Sequence, residues 1–399
     1  MNNGEKYLLE EYNYKQSKNR GVKVFSLCII FFTILMIVMI INRRTYWWIF
    51  LYIIVLFFII EIIMYVSTNL NYYDMRHPHL IYGTTIDTCD LRKDMYVPDT
   101  REYEDKVSMG YEIVKEKSIV ILCLARDVEA NVEMARNKLE SIGREFYEYK
   151  IVLFENDSDD ESRKYLKNWV MSNENVDLMD CCNMGSCECL LNNQKGYNMG
   201  GYSYNKNRIS KMRYYRETLL RYAVDKYYDY DYVMIYDFDI SGVIYKDGVM
   251  TSFSSDKEWD MVFANGLQSL PMITFNTLKL YDHLPYLSDD MDYDHKLSLS
   301  QLEKAHTKLG KYKIGDGLVK CKSGFNGMAI YRMECLLEST YMNTERYCEH
   351  VDLHNDMYKK GYDKVYYNPS MVLFAGQVGD DRTNLLNIEE VRRYKMKLN

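Results

Sequence analysis

Asp237 and Asp239 stand one residue apart where the apolar run Val233-Met234-Ile235-Tyr236 ends. Two carboxylates held that close repel unless a cation sits between them. Oxygen-only ligands at the carboxyl end of a strand suit Mg²⁺ or Mn²⁺, completed by water and substrate phosphates. Side chains alternate along an extended chain, so the spacing predicts Asp237 and Asp239 on one side and Phe238 on the other. Asp-x-Asp also occurs at 157/159, 229/231, 290/292 and 292/294, but only the 237/239 pair directly closes a hydrophobic strand. A second cluster lies at Cys348-Glu349-His350-Val351-Asp352-Leu353-His354, opening a helix that stops at Gly361. His350 and His354, four apart, share a helix face. The start of such a helix favours anions, because its unpaired N–H groups carry partial positive charge.

The helix predicted over 206–228 feeds the Asp237 strand. Its early turns carry Arg208, Lys211, Arg213 and Arg216, while Met212, Leu219, Leu220 and Ala223 form an apolar side. The basic run reads either as a solvated face or as an anion contact beside a metal site. Upstream, Ser118 to Leu124 is a strand ending at Ala125-Arg126-Asp127, and 129–142 has helical spacing with Val132, Ala135 and Leu139 on one face. Tyr149 to Phe154 is a strand ending at Glu155-Asn156, and a helix through Tyr165, Leu166 and Trp169 follows. This alternation predicts an open, mainly parallel Rossmann-like sheet with flanking helices, binding its ligand at the carboxyl strand ends. Trp259 to Ala264, the turn Ser323-Gly324-Phe325-Asn326-Gly327 with the strand after it, and Val365 to Phe374 complete the sheet. The glycines beside Phe325-Asn326 permit close approach by a ligand.

The 399 residues divide into a polar tail (1–23), two apolar runs (24–66), a polar stem (67–117), the α/β domain (118–375) and a charged tail (376–399). Val24 to Ile41 and Tyr46 to Val66 are each long enough, or nearly so, for a transmembrane helix, and Trp47 and Trp48 suit an interface belt. The expectation is a two-span membrane hairpin in which Glu61, costing roughly 2–3 kcal/mol at depth, faces the partner helix. Five Lys/Arg in the tail favour a cytosolic domain, whereas Arg43 and Arg44 keep a single-span luminal arrangement open. A net charge of −7 and the lack of a basic stripe argue against nucleic acid as a partner. The cluster between Cys181 and Cys189 lacks paired zinc-ligand arms and reads as a reduced loop or a local disulfide.

Taken together, Glu155-Asn156-x-Ser158-x-Asp160, Arg208…Met212…Arg216, Asp237-Phe238-Asp239, Gly324-Phe325-Asn326-Gly327 and Cys348-Glu349-His350 resemble glycosyltransferases of the GT-A fold. More narrowly they resemble the cryptococcal capsule α-mannosyltransferase-type group and its relatives in microbes and large DNA viruses. The resemblance covers 118 to 375 and implies transfer of a sugar, mannose among the candidates, from a nucleotide-diphosphate sugar donor to a hydroxyl acceptor on a glycan, protein or lipid, with Mn²⁺ or Mg²⁺. On that reading Asp239 ligates the metal directly and Asp237 reaches the donor ribose or a metal-bound water. Arg126, Asp127, Glu155 and Asn156 line the nucleotide pocket, and Arg208 and Arg216 contact the diphosphate. His350 or His354 completes the metal shell, and Glu349 or Asp352 takes the acceptor proton. The rival readings are another nucleotide-dependent transferase using the same aspartates, which lacks a phosphate-cradling glycine loop here, and a non-catalytic membrane protein on a degenerate fold.

Overall fold

The computed structural model describes residues 97–156, 158–180, 206–240, 242–271, 276–293, 299–343 and 348–377, with Tyr52 and residues 55–59. Apart from those few helical residues, both apolar runs lie outside this set, as do the Cys181–Cys189 cluster and the charged tail beyond 377. Among the described residues no helix is long and apolar enough to cross a membrane.

The elements follow in order. They are α1 (Arg101–Val114), β1 (Ser118–Ala125), a 3₁₀ turn (Glu129–Asn131), α2 (Val132–Gly143), β2 (Glu148–Glu155), α3 (Ser162–Ser172), β3 (Val176–Asp180) and α4 (Lys206–Tyr227). Next come β4 (Tyr232–Asp237), α5 (Lys246–Met250), β5 (Met261–Pro271), β6 (Asn276–Leu280), β7 (Leu287–Ser288) and α6 (Leu299–Thr307). The chain closes with β8 (Val319–Ser323), β9 (Met328–Arg332), α7 (Met333–Leu337), α8 (Glu349–Lys359) and β10 (Val365–Gln377). Helix α1 falls inside the segment read from sequence as a stem. Thr100 caps it, and Tyr103, Val107, Gly110 and Val114, spaced three or four apart, are buried against the domain.

One ten-stranded sheet runs β3-β2-β1-β4-β9-β5-β10-β8-β7, with β6 on the flank of β5. The half β3-β2-β1-β4 is parallel, as the strand–helix alternation predicts. The other half corrects that expectation. β9 runs antiparallel between β4 and β5, and β6, β7 and β8 are also paired antiparallel, so the sheet is mixed rather than mainly parallel. Connection length accounts for β5 and β6 alone, which are close in sequence and can pair side by side only by reversing direction. β9 enters between β4 and β5 from far along the chain, so no short turn sets its direction.

The central strands are buried on both faces, which explains their near-continuous apolar runs. Val120, Leu122, Val233 and Ile235 pack with Tyr215, Leu219 and Leu220 of α4 on one face. Ile119, Ile121, Cys123, Met234 and Tyr236 pack with Val132, Ala135 and Leu139 of α2 on the other. Register then aligns the strand ends, pairing Leu124 with Asp237 and Ala125 with Glu155. Arg126, Asn156 and Asp237 thus emerge along one edge.

Candidate functional site

A cleft opens at that edge, lined by Arg126, Asn156, Met212, Tyr215, Arg216, Asp237, Asp239, Asp282, Phe325, Glu349 and His350 among others. Asp237 is the last residue of β4, and its N–H donates to the Gly327 carbonyl (3.0 Å). The chain then turns, with the Ile240 N–H donating back to the Asp237 carbonyl (3.2 Å). Phe238 is buried beside Trp169 (ring centroids 6.4 Å apart), and Asp239 is exposed. Both aspartates do face one cleft, but a turn delivers them there, not the continued strand that the sequence reading assumed.

Arg216 organises the charge. It is buried in α4, donating from Nη2 to Asp237 (2.9 Å) and from Nε to Glu349 (3.1 Å), with its guanidinium 5.3 Å from the Phe325 ring centroid. Burial works against its charge, but Asp237 and Glu349 outweigh burial and raise its pKa. One cation does not satisfy this many carboxylates. Burial pushes the Asp237 carboxyl up to about 6, Arg216 opposes that rise, and Asp239 adds to it.

A further carboxylate, Asp282, was not singled out from sequence. It follows β6 in a stretch that reads only as rich in Tyr, Asp and His, yet it lines the cleft and is half-buried. Its backbone is left-handed (φ 52°), an uncommon state for a residue other than glycine. Burial, then the charges of Asp237 and Glu349, push its carboxyl up to about 8. No local pattern marks such a residue, because the cleft is assembled from strands far apart in sequence.

Several expected roles need correction. Asp352 is fully buried and ion-paired to buried Arg213 (2.5 Å), so it is not free to take a proton. His354 is a core histidine. Its Nδ1 bonds Ser323 Oγ (2.7 Å) and its Nε2 bonds the Tyr331 hydroxyl (2.9 Å), and burial pulls its pKa down to about 3. Neither ring nitrogen is left for a metal. Glu155 does not line the cleft. Buried, it pairs with Arg163 (2.8 Å) and accepts from the Ser158 N–H (2.9 Å). Asp127 likewise builds the loop, accepting from the Asp159 N–H (2.8 Å). Arg126 and Asn156 do line the cleft. Arg208 lies in α4, and its side chain is outside the described residues. The glycines beside Phe325-Asn326 serve chain packing: a side chain at Gly324 would strike the Phe263 ring, and one at Gly327 would strike Ile240.

His350 differs from His354. It is 2% exposed, stacks on Phe325 (centroids 3.8 Å apart), and neither ring nitrogen has a hydrogen-bond partner among the described residues. Burial, then Arg216 and His354, hold its pKa well below the ordinary value, so it stays a neutral nitrogen donor at the cleft wall.

Among the described residues no group of three or more His, Cys, Asp or Glu stands ready-made as a ligand set. The donor chemistry still fits a hard divalent cation. Asp237 and Asp239 offer oxygen, and a cation would offset what raises the Asp237 and Asp282 values, which is burial first and neighbouring carboxylates second.

No protein-family model matches the chain, and no curated protein matches it. Among solved structures it is similar to S. aureus TarS 1–349 in complex with UDP-GlcNAc, at 10% identity and a TM-score of 0.36, over 67% of this chain and 61% of that one. It is also similar to the mannosyltransferase PcManGT from Pyrobaculum calidifontis in complex with GDP-Man and Mn²⁺ (10% identity, TM-score 0.33, 68% of this chain and 65% of that one). A third is the inositol-1-phosphate CTP transferase from T. maritima (9% identity, TM-score 0.33, 70% and 97%). The chain spans less than two thirds of the first two proteins. At these values the likeness carries no functional weight, which rests on the cleft.

Proposed function

We propose that the chain is a membrane-anchored, divalent-dependent glycosyltransferase of the GT-A type, moving a sugar from a nucleotide-diphosphate donor to a hydroxyl acceptor. The observation that carries this reading is the gathering of Asp237, Asp239, Asp282 and Glu349 at one cleft, with Arg216 held between two of them. A donor diphosphate cannot enter so acidic a cleft unaided. When bound, a divalent cation would supply Lewis-acid stabilisation of the diphosphate leaving group, with Asp239 and Asp237 holding it. His350, which lines the cleft with both ring nitrogens unpartnered among the described residues, is the candidate nitrogen donor.

The chain's own groups do the remaining work. Arg126 and Asn156, at the ends of β1 and β2, face the nucleotide. Arg216 keeps Asp237 and Glu349 in fixed positions from one side. In the transfer, the acceptor oxygen bonds to the anomeric carbon as the bond from that carbon to the phosphate oxygen breaks. The bonding pair leaves with the diphosphate, and the hydroxyl proton passes to a carboxylate. Asp282 takes the place of Asp352 as the candidate acceptor of that proton, since its pKa of about 8 lies near the range a general base needs and a bound cation would offset the neighbouring carboxylates and favour its deprotonated, proton-accepting form. Glu349 remains the alternative, restrained by Arg216.

Incubating the full-length chain with a panel of nucleotide sugars and Mn²⁺, GDP-mannose and UDP-N-acetylglucosamine included, is expected to release sugar and nucleoside diphosphate. A parallel incubation with nucleoside triphosphates and sugar phosphates covers the nucleotidyl-transfer rival. Pyrophosphate release there would favour that rival, and no turnover in either would favour a non-catalytic protein. The apolar runs over 24–66 supply the anchor in this proposal, with the domain on the cytosolic side. Protease added to sealed microsomes should then degrade the domain, whereas its protection would favour the single-span luminal arrangement.

A further inference from the structure

Lys138, on α2, takes no part in the chemistry above, yet it is 1% exposed. Its Nζ donates to the carbonyls of Ile240 and Gly242, at 2.7 Å each, and lies 5.7 Å from the Tyr236 ring centroid. No carboxylate among the described residues pairs with it, and burial pulls its pKa down to about 7. An ammonium is placed in such a position at a cost unless its hydrogen bonds accomplish something. Asn131, also 1% exposed, precedes the same helix in the capping position. Asparagine there ordinarily caps the first turn. This one makes no such bond, and its Nδ2 donates to the Asp239 carbonyl (3.1 Å).

The carbonyls of residues 239, 240 and 242 therefore all accept from side chains of one helix, its cap residue Asn131 and its mid-helix Lys138. They belong to the stretch where the chain leaves the sheet. The Asp237 N–H is anchored to Gly327 and the Gly242 N–H to Phe374 (3.1 Å), while Asp239 stands exposed between them. The Tyr236 hydroxyl adds a longer bond to the Ile240 carbonyl (3.4 Å). We propose that Lys138 and Asn131 are positioning residues that hold the carbonyls of Asp239, Ile240 and Gly242 and so set where the Asp239 carboxylate meets a divalent cation. The clamp is a statement about the chain, and its effect on the cation rests on the reading of the cleft given above. Lysine suits the task because three donors on a long stem reach two carbonyls and a ring face at once.

The experiment compares wild type, Lys138→Met, Lys138→Arg and Asn131→Ala in the full-length chain by amide hydrogen exchange and by Mn²⁺ titration without donor. Lys138→Met keeps the stem and loses the donors. It should speed exchange across 238–243 at least tenfold while the rest of the sheet is unchanged, and raise the half-saturating Mn²⁺ concentration at least tenfold. Lys138→Arg should recover part of both effects, and Asn131→Ala should show the same direction at smaller size. Unchanged exchange in Lys138→Met overturns the clamp, as does a loosened loop with wild-type Mn²⁺ affinity. If Lys138→Met does not fold, Asn131→Ala decides by the same two readouts. Absence of Mn²⁺ binding in wild type would refute the cleft reading instead, and exchange would then judge the clamp alone.

Discussion

Helix α8 carries two acids and two histidines within six positions, and they meet opposite fates. Glu349 and His350 line the cleft, the first tied to Arg216 and the second with both ring nitrogens unpartnered among the described residues. Asp352 and His354, one turn on, are locked to Arg213, Ser323 and Tyr331 in the core. Helix α4 repeats the contrast, since Arg213 faces the core pair and Arg216 the cleft pair, three residues apart. Residue type and helix do not separate these groups. What separates the two histidines is hydrogen-bonding capacity together with place: His354 has both ring nitrogens used in the core, whereas those of His350, at the cleft wall, have no partner among the described residues.

That contrast can be broken most forcefully at Asp239. Asp239→Asn should lower sugar transfer at least a thousandfold, roughly 4 kcal/mol in the barrier, with the melting temperature unchanged or higher in metal-free buffer. The core set should behave in reverse. Asp352→Ala leaves buried Arg213 without its carboxylate and should cost ~3–5 kcal/mol of stability by urea titration, while turnover per folded molecule stays within a few-fold. Lost turnover at unchanged stability would move Asp352 back to the cleft set.

Asp282 sharpens the comparison through pH. Its folded-state pKa of about 8 lies above the ordinary carboxylate value, so between the two the native state holds a proton that the unfolded chain has released. Stability from this group therefore falls as pH rises from 4 to 8. Asp282→Asn should be nearly neutral at pH 4 and stabilising by about 1–3 kcal/mol at pH 8 without metal, while slowing transfer. A difference that does not grow with pH would remove the charge crowding from the account. The smallest effect is expected at the histidines. His350→Gln should slow transfer about tenfold, close to 1.4 kcal/mol, with partial rescue by added Mn²⁺, and His354→Gln should act on stability instead.

The sequence displayed what local pattern can encode. Asp237 and Asp239 closing an apolar run were legible, as was the parallel half of the sheet, because alternating strands and helices leave a periodic trace. The antiparallel insertion of β9 was not, since a strand's direction depends on which neighbour it meets. Asp282 was hidden among other aspartates, and Lys138 sat on a helix whose apolar face was already read from Val132, Ala135 and Leu139. The opposite error arose at His354, where spacing predicted a face shared with His350 but not that Ser323 and Tyr331 would satisfy its ring, and at Asp352, where the family resemblance did not foretell the pairing with Arg213.

The central claim is that Asp237 and Asp239 make this cleft a metal-dependent nucleotide site. Calorimetric titration of GDP and UDP into the full-length chain, with and without Mn²⁺ and at pH 5 and 7.5, tests it most directly. At least one nucleotide should bind tenfold or more tightly with Mn²⁺ at pH 7.5. That gain should shrink at pH 5, below the Asp237 value of about 6, and vanish in Asp239→Asn. Nucleotide binding indifferent to Mn²⁺, or an equal gain in Asp239→Asn, would contradict it.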